Sequence, residues 1–263
     1  MKKYVAAVLL ALGLAACATQ EAYDETRGWT VDRLYAEAHD ELNSGNYTRA
    51  IKLYETLEAR FPYGRFAQQA QMDLAYTHYK DGDPELALAA ADRFIRLHPS
   101  HPNIDYVYYL KGLVYYHDDS SVMSKWTGQD MSERDPKAAK EAYQAFRELV
   151  SRLPDSKYAP DAREKLNRLV NALGGYEMHV ARYYMKRGAY LAAVNRAQTV
   201  VKEYSNTPNV EEALAIMVAA YDKLGMKQLA EDSRRVLVMN YPNSVFLKKG
   251  WKANEMAWWK FWR

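Results

Sequence analysis

The sequence predicts an all-α protein, a solenoid of about five stacked helix pairs. Three observations predict it. A pattern of small, glycine, apolar and proline residues returns in register along the chain. Within each copy the apolar members recur at helical spacing. A glycine and a proline punctuate the copies where one helix must stop and the next begin.

The first copy runs Ala38, Gly45-Asn46-Tyr47, Ala50-Ile51, Tyr54, Leu57 and Phe61-Pro62. Thirty-seven residues later it returns as Ala75, Gly82-Asp83, Ala87-Leu88, Ala91, Phe94 and His98-Pro99. A fourth copy holds Ala181, Gly188, Tyr190, Ala193-Val194, Ala197 and Val200. A fifth holds Val218, Gly225, Ala230, Arg234, Leu237 and Tyr241-Pro242, and Gly188 to Gly225 is again 37 residues. The third copy is split between Gly112, Tyr115, Tyr116 and Ala142-Tyr143, Phe146, Leu149, Leu153-Pro154.

Each landmark has a physical role. The early small residue lets two helices approach closely. The glycine ends the first helix, where a left-handed backbone is wanted. The alanine after it marks the crossing of the second helix over the first. The proline stops the second helix. Ser205 stands where the fourth copy lacks that proline. The pattern is of the tetratricopeptide type, three residues longer than the usual period of about 34. A plain helical bundle is the alternative, and the shared register of five copies argues against it.

The units fall at about 28–63, 64–100, 101–155, 156–206 and 207–245. Residues 118–135 interrupt the third as an inserted loop. Ala159 to Leu173 predicts an additional helix, which either kinks at Gly174-Gly175 or continues to Tyr184.

The start of the chain is a targeting segment. Lys2 and Lys3 precede an apolar stretch from Val5 to Leu14, too short to span a bilayer. Leu14-Ala15-Ala16-Cys17 is a lipobox, and residues 1–16 are the expected lipoprotein signal peptide. Cys17 is the single cysteine of the 263 residues, so it has no disulfide partner within the chain and is the lipidation site. Ala18, rather than Asp, follows it, which points to the outer membrane. Residues 17–27 form a lipidated tether. Removing residues 1–16 removes Lys2 and Lys3 and no acid, taking the formal charge from +3 to +1. A nearly neutral body gives no reason to expect nucleic acid as a partner.

Catalytic patterns are missing from the sequence. It has no HExxH, no phosphate-binding glycine loop, no GxSxG elbow, and no cysteine left to hold zinc. The expectation is a binding scaffold with no enzymatic activity, metal or cofactor. Arrays of this kind bind along a concave face lined by the first helix of each pair. The positions expected there are Tyr35, His39 and Leu42, then Met72, Tyr76 and Tyr79, then Tyr106, Tyr109, Leu113 and Tyr116. The later units supply Met178, Arg182, Met185, Ala219 and Asp222. Tyrosine offers contact area with a hydrogen-bonding tip, which suits a peptide groove. Tyr35, Tyr76, Tyr79, Tyr106, Tyr109 and Tyr116 are the candidate groove residues; packing between repeats is the competing reading.

The tail, residues 246–263, carries Trp251, Trp258, Trp259 and Trp262 among lysines and an arginine. Leu247, Trp251, Trp258 and Trp262 fall on one helical stripe. The stretch suits an interfacial membrane helix or a cap on the last repeat, and composition leaves both open.

Several stretches are more specific than repeat positions. They are Phe61-Pro62-Tyr63-Gly64, Asp92 to Pro99, His101-Pro102-Asn103-Ile104-Asp105-Tyr106, Arg134-Asp135-Pro136, Tyr176-Glu177 and Arg187 to Arg196. Together with the lipobox they resemble the BamD/ComL family of outer-membrane assembly lipoproteins, over about residues 28–245. The resemblance implies a lipid anchor on the periplasmic face of the outer membrane and a role in folding and inserting β-barrel proteins. It implies as partners the periplasmic domain of BamA, other lipoproteins of that machinery, and unfolded outer-membrane β-barrel proteins. In such proteins the N-terminal repeats receive the substrate's C-terminal strand and the C-terminal repeats hold BamA. Arg196, within the matched Val194-Asn195-Arg196, is expected at the BamA contact. A periplasmic repeat lipoprotein that organises cell-wall or division enzymes is the alternative.

Overall fold

A computed structural model describes residues 24–116 and 136–252. The lipobox, the inserted loop and the tryptophan-rich end beyond Lys252 lie outside them. The described residues form eleven helices and no strand. These are α1 (Val31–Asn43), α2 (Tyr47–Arg60), α3 (Arg65–Asp81), α4 (Pro84–Leu97) and α5 (Ile104–Tyr115). Then come α6 (Pro136–Arg152), α7 (Ala159–Arg187), α8 (Tyr190–Glu203), α9 (Asn209–Lys223), α10 (Lys227–Asn240) and α11 (Val245–Lys249). Each helix from α1 to α10 packs on its neighbours in the chain, and α1 also meets α3, as α7 meets α9. Contact between alternate helices is what a stacked array of pairs requires, and the first helices of successive pairs stand side by side.

The repeat landmarks take the places their chemistry suggests. Ala50, Ala87, Ala142, Ala193 and Ala230, one per second helix, are buried. Ala38, Ala75 and Ala181 are buried on first helices. In the third pair the same position is Gly112, and a Cβ there would overlap the ring of Phe146. Gly82 and Gly188 close α3 and α7 with φ of +86° and +75°. Nothing lies within 4 Å of a Cβ built on either one. Backbone conformation alone therefore calls for glycine at both.

The prolines contribute less than the pattern suggests. α2, α4 and α10 end at Phe61, His98 and Tyr241, each with φ near −130° and its N–H bonded to the carbonyl four residues back. Tyr204 ends α8 in the same way, with φ −122°. Ser205 follows it where the others have proline, so the large residue at the exit sets the end and the proline reinforces it.

α7 is one uninterrupted helix of 29 residues through Gly174-Gly175, about 43 Å long. The additional helix expected before the fourth unit is thus the first half of that unit's own first helix. Gly174 earns its place by contact: a Cβ there would stand 3.1 Å from Asn209 Nδ2 and 3.3 Å from Thr207 Oγ1. The turn between α8 and α9 presses on α7 at that point, offsetting the helix cost of about 1 kcal/mol for a glycine.

The core is a chain of clusters. Leu34, Leu53, Tyr54, Leu57 and Leu74 fill the first pair and its junction with the second. Met72, Phe94, Val107, Leu110, Phe146, Leu149 and Leu169 fill the middle. Leu173, Met178, Val200, Leu214, Ile216 and Leu237 fill the last two pairs. α7 supplies Leu169 to one cluster and Leu173 to the next, and so ties the halves together. Tyr54, Phe94 and Phe146 are fully buried, and the two phenylalanines each contribute about 1.5–3 kcal/mol.

The tail departs from a single helical stripe. α11 ends at Lys249, and Gly250 turns the chain away with φ +67°. Leu247 and Trp251 therefore do not share a helix. Both pack, with Phe246, against the last core cluster.

Candidate binding groove and partner surface

The first helices α1, α3, α5 and α7 bring most of the expected tyrosines onto one strip. Tyr35 on α1 donates to Asp73 on α3 at 2.8 Å. Gln69 donates to the other oxygen of Asp73 at 3.0 Å. One turn on, Tyr76 and Tyr79 lie ring to ring at 6.3 Å. Tyr106 on α5 lies beside Tyr158, ring centroids 5.9 Å apart, and burial raises its pKa, with Tyr76, Asp73 and Tyr79 also near it. Tyr109 stacks on Tyr158 with centroids 4.8 Å apart and planes 15° apart. Its hydroxyl donates to Asp161 at the start of α7, at 2.5 Å.

Tyr35, Tyr76, Tyr79, Tyr106 and Tyr109 are all partly buried. Tyr116 is different. It caps the end of α5, is 6 % exposed and meets Phe146 edge-on at 5.9 Å, so it is a core residue and not a groove residue. Leu42, Met72 and Met178, also expected on the concave face, are buried as well. The reason is common to all four. A first helix is covered by its own partner helix and by the neighbouring pair, so its exposed stripe is narrower than a lone helix would show.

The strip carries two carboxylates that the tyrosine pattern did not reveal. Burial raises the pKa of Asp73, against the hydrogen bonds from Tyr35 and Gln69. Burial works the same way on Asp161, but the bonds from Tyr109 and Lys165 outweigh it and hold that carboxyl below its usual range. Burial, and then the neighbouring Asp73, raises Tyr35; burial and the bond to Asp161 raise Tyr109. These tyrosines stay protonated at neutral pH and can donate. The strip therefore offers flat apolar rings, hydroxyls and fixed carboxylate acceptors, a composition fit for an extended peptide. Among the described residues no group of His, Cys, Asp and Glu is arranged to hold a metal ion.

The other half of the array is organised by ion pairs. Arg196 on α8 donates to Glu177 on α7 at 3.0 Å. The Glu177 side chain is 6 % exposed and the Arg196 side chain 42 %. The guanidinium is thus fixed on a buried carboxylate while its side chain stays partly exposed. Arg182 grips Glu212 with two bonds, of 2.8 and 2.5 Å, and Trp251 donates its indole N–H to the same carboxylate at 3.1 Å. These bonds, after the cost of burial, hold Glu212 ionised. Pairs 19, 30 and 39 residues apart carry no local signal in sequence.

Comparison with known proteins agrees with this architecture. The profile of a family described as "Outer membrane lipoprotein" (YfiO) matches residues 29–237. The chain is 59 % identical to the outer membrane protein assembly factor BamD of Neisseria meningitidis serogroup B, over the whole of both chains. It is 38 % identical to the protein of that name from Xylella fastidiosa, covering 94 % of this chain and 86 % of the other. It is 33 % identical to the one from Caulobacter vibrioides, covering 90 % and 75 %. The relatives bear the name of an assembly factor, a scaffold role and not a catalytic one. With five repeat landmarks in register, a profile match across nearly all the helices and 59 % identity to the Neisseria protein over both full chains, the chain belongs to the BamD family of outer-membrane lipoproteins.

Proposed function

We propose that this chain is a non-enzymatic scaffold of the machinery that assembles outer-membrane β-barrels. It is held at Cys17 by its lipid to the periplasmic face of the outer membrane. Its N-terminal groove receives the C-terminal strand of an unfolded barrel protein, and its C-terminal repeats hold the periplasmic domain of BamA. Family membership supports the general role. The observation that carries the finer reading is the tyrosine strip across α1, α3, α5 and α7, bounded by Asp73 and Asp161.

A barrel's last strand is extended, alternates apolar residues and commonly ends in an aromatic one. Rings on successive first helices can receive such side chains, while hydroxyls and carboxylates receive peptide N–H groups. Arg196 has N–H groups left for a partner's carboxylate, on a side chain already oriented by Glu177. Capture of the tagged, lipidated chain from solubilised membranes tests the reading. It predicts co-purification of BamA. Recovery of cell-wall synthases or division proteins in its place would support the alternative role and contradict this one.

A further inference from the structure

We infer that Asp73 is a specificity-determining residue of the groove, a subsite that selects a lysine or arginine side chain of the incoming strand. The inference rests on the tyrosine strip being the place where that strand binds. Three observations carry it. First, the charge of Asp73 is held by neutral donors. Its two oxygens accept from the Tyr35 hydroxyl at 2.8 Å and the Gln69 amide at 3.0 Å. His39, stacked on Tyr35 with centroids 6.0 Å apart, acts on it through space and without a bond. Among the described residues no lysine or arginine forms an ion pair with it. Three other carboxylates that join helices each have a cation: Asp161 has Lys165, Glu177 has Arg196 and Glu212 has Arg182. Asp105 also has neutral donors, Ser156 and the Tyr106 N–H, but it stands in the first turn of α5, where helix amides offset its charge. Asp73 stands in the middle of α3, beyond the reach of either helix end.

Second, this carboxylate gains from an arriving cation. Asp73 is partly buried, and burial disfavours its ionised form. A cation brought beside it offsets that cost, whereas at Asp161 the same cation must compete with Lys165. Third, the surroundings suit a cationic side chain. Tyr76 lies one turn along α3 and Tyr79 stands 6.3 Å from it, ring to ring. Tyr106 on α5 is near Asp73 as well. Tyrosine rings attract a cation to their faces and cover the aliphatic stem of a lysine or arginine. Side chains on one face of an extended strand recur about every 7 Å. Asp73 lies about 7 Å along α3 from the midpoint of Tyr76 and Tyr79. For a strand lying along α3, a terminal aromatic seated between those two rings therefore brings the side chain two residues earlier to Asp73.

The test titrates the full mature chain with three peptides. Each copies the last strand of an outer-membrane barrel and keeps the terminal aromatic; the residue two before it is Gln, Lys or Glu. The Lys peptide should bind about tenfold more tightly than the Gln peptide, and the Glu peptide more weakly than either. High salt should narrow the differences. Asp73→Asn should erase the order while holding the Gln peptide nearly as the parent does. Tyr35→Phe breaks the same hydrogen bond but keeps the carboxylate, so it should retain the order. That variant separates the charge of Asp73 from its part in joining α1 and α3. Circular dichroism confirms that both variants keep the array, and the comparison of peptides on the parent chain needs neither. Equal binding of all three peptides by the parent, or an unchanged order in Asp73→Asn, would overturn the inference and leave the groove standing. If none of the peptides binds the parent, the groove itself falls and this subsite with it.

Discussion

Tyr109 on the third pair donates its hydroxyl proton to Asp161 at the head of the long helix α7, 52 residues further along the chain. The bond joins the two halves of the array at the edge of the tyrosine strip. Lys165, one turn further on, holds the other oxygen of Asp161 at 3.1 Å.

Tyr109→Phe tests that bond through its pH dependence. The Asp161 carboxyl has a lowered pKa in the folded state. A group of this kind adds stability that is full above its unfolded value of about 3.9 and is lost as pH falls through the folded value. Asp161 is 46 % exposed, so solvent screens the interaction. The variant should lose about 1 kcal/mol at neutral pH. Urea unfolding of both proteins should show the gap closing below about pH 4. An equal gap at both pH values would mean that the carboxylate is not the hydroxyl's partner.

Gly112→Ala tests the crossing of α5 and α6. A helix interior ordinarily gains about 1 kcal/mol from this change. Here the added methyl meets the buried Phe146 ring, and overpacking costs about 1–3 kcal/mol. The expected outcome is a net loss of about 1 kcal/mol in chemical unfolding. A gain in stability would show that the crossing has slack.

Arg196 must be tested with Glu177 in mind. Arg196→Glu sets a carboxylate against a buried one and should lower the melting temperature, whatever the partner does. Arg196→Gln and Glu177→Gln separate the roles. If Arg196 meets BamA, the first weakens co-purification by about tenfold, consistent with loss of a charged hydrogen bond. The second, which keeps the cation, retains it. Equal loss in both would assign Arg196 to holding α7 and α8 together.

Cys17→Ser tests the anchor. Labelled palmitate should fail to enter the variant, and the protein should leave the membrane fraction. Palmitate incorporation into Cys17→Ser would contradict the assignment.

The array was legible because its signal is local and repeated. Ala50, Ala87, Ala142, Ala193 and Ala230 announce every crossing, and glycines announce the ends of first helices. What escaped depends on distant parts of the chain. Tyr116 looks like Tyr109 in sequence, seven residues on, and both rings stand 5.9 Å from Phe146, yet Tyr116 lies just past the end of α5 and is 6 % exposed while Tyr109 is only partly buried. Asp73 and Asp161 have no motif of their own; the tyrosines that reach them arrive from other pairs. Gly174-Gly175 was ambiguous because the reason for Gly174 is the α8–α9 turn pressing on it. The tail's helical stripe failed at Gly250, whose positive φ no periodicity can reveal.

The central claim is that the strip on α1, α3, α5 and α7 receives the end of a barrel strand. The direct measurement is a titration with a peptide copying the last strand of an outer-membrane barrel, against one with its terminal aromatic changed to Ala. Tyr76→Ala with Tyr79→Ala should weaken binding of the first peptide by roughly tenfold or more and abolish the preference between the two. Tyr116→Phe, a change inside the core, should leave both affinities unaltered. Parental binding of both peptides by the Tyr76/Tyr79 variant, with its helical content intact, would make these tyrosines packing between repeats and contradict the claim.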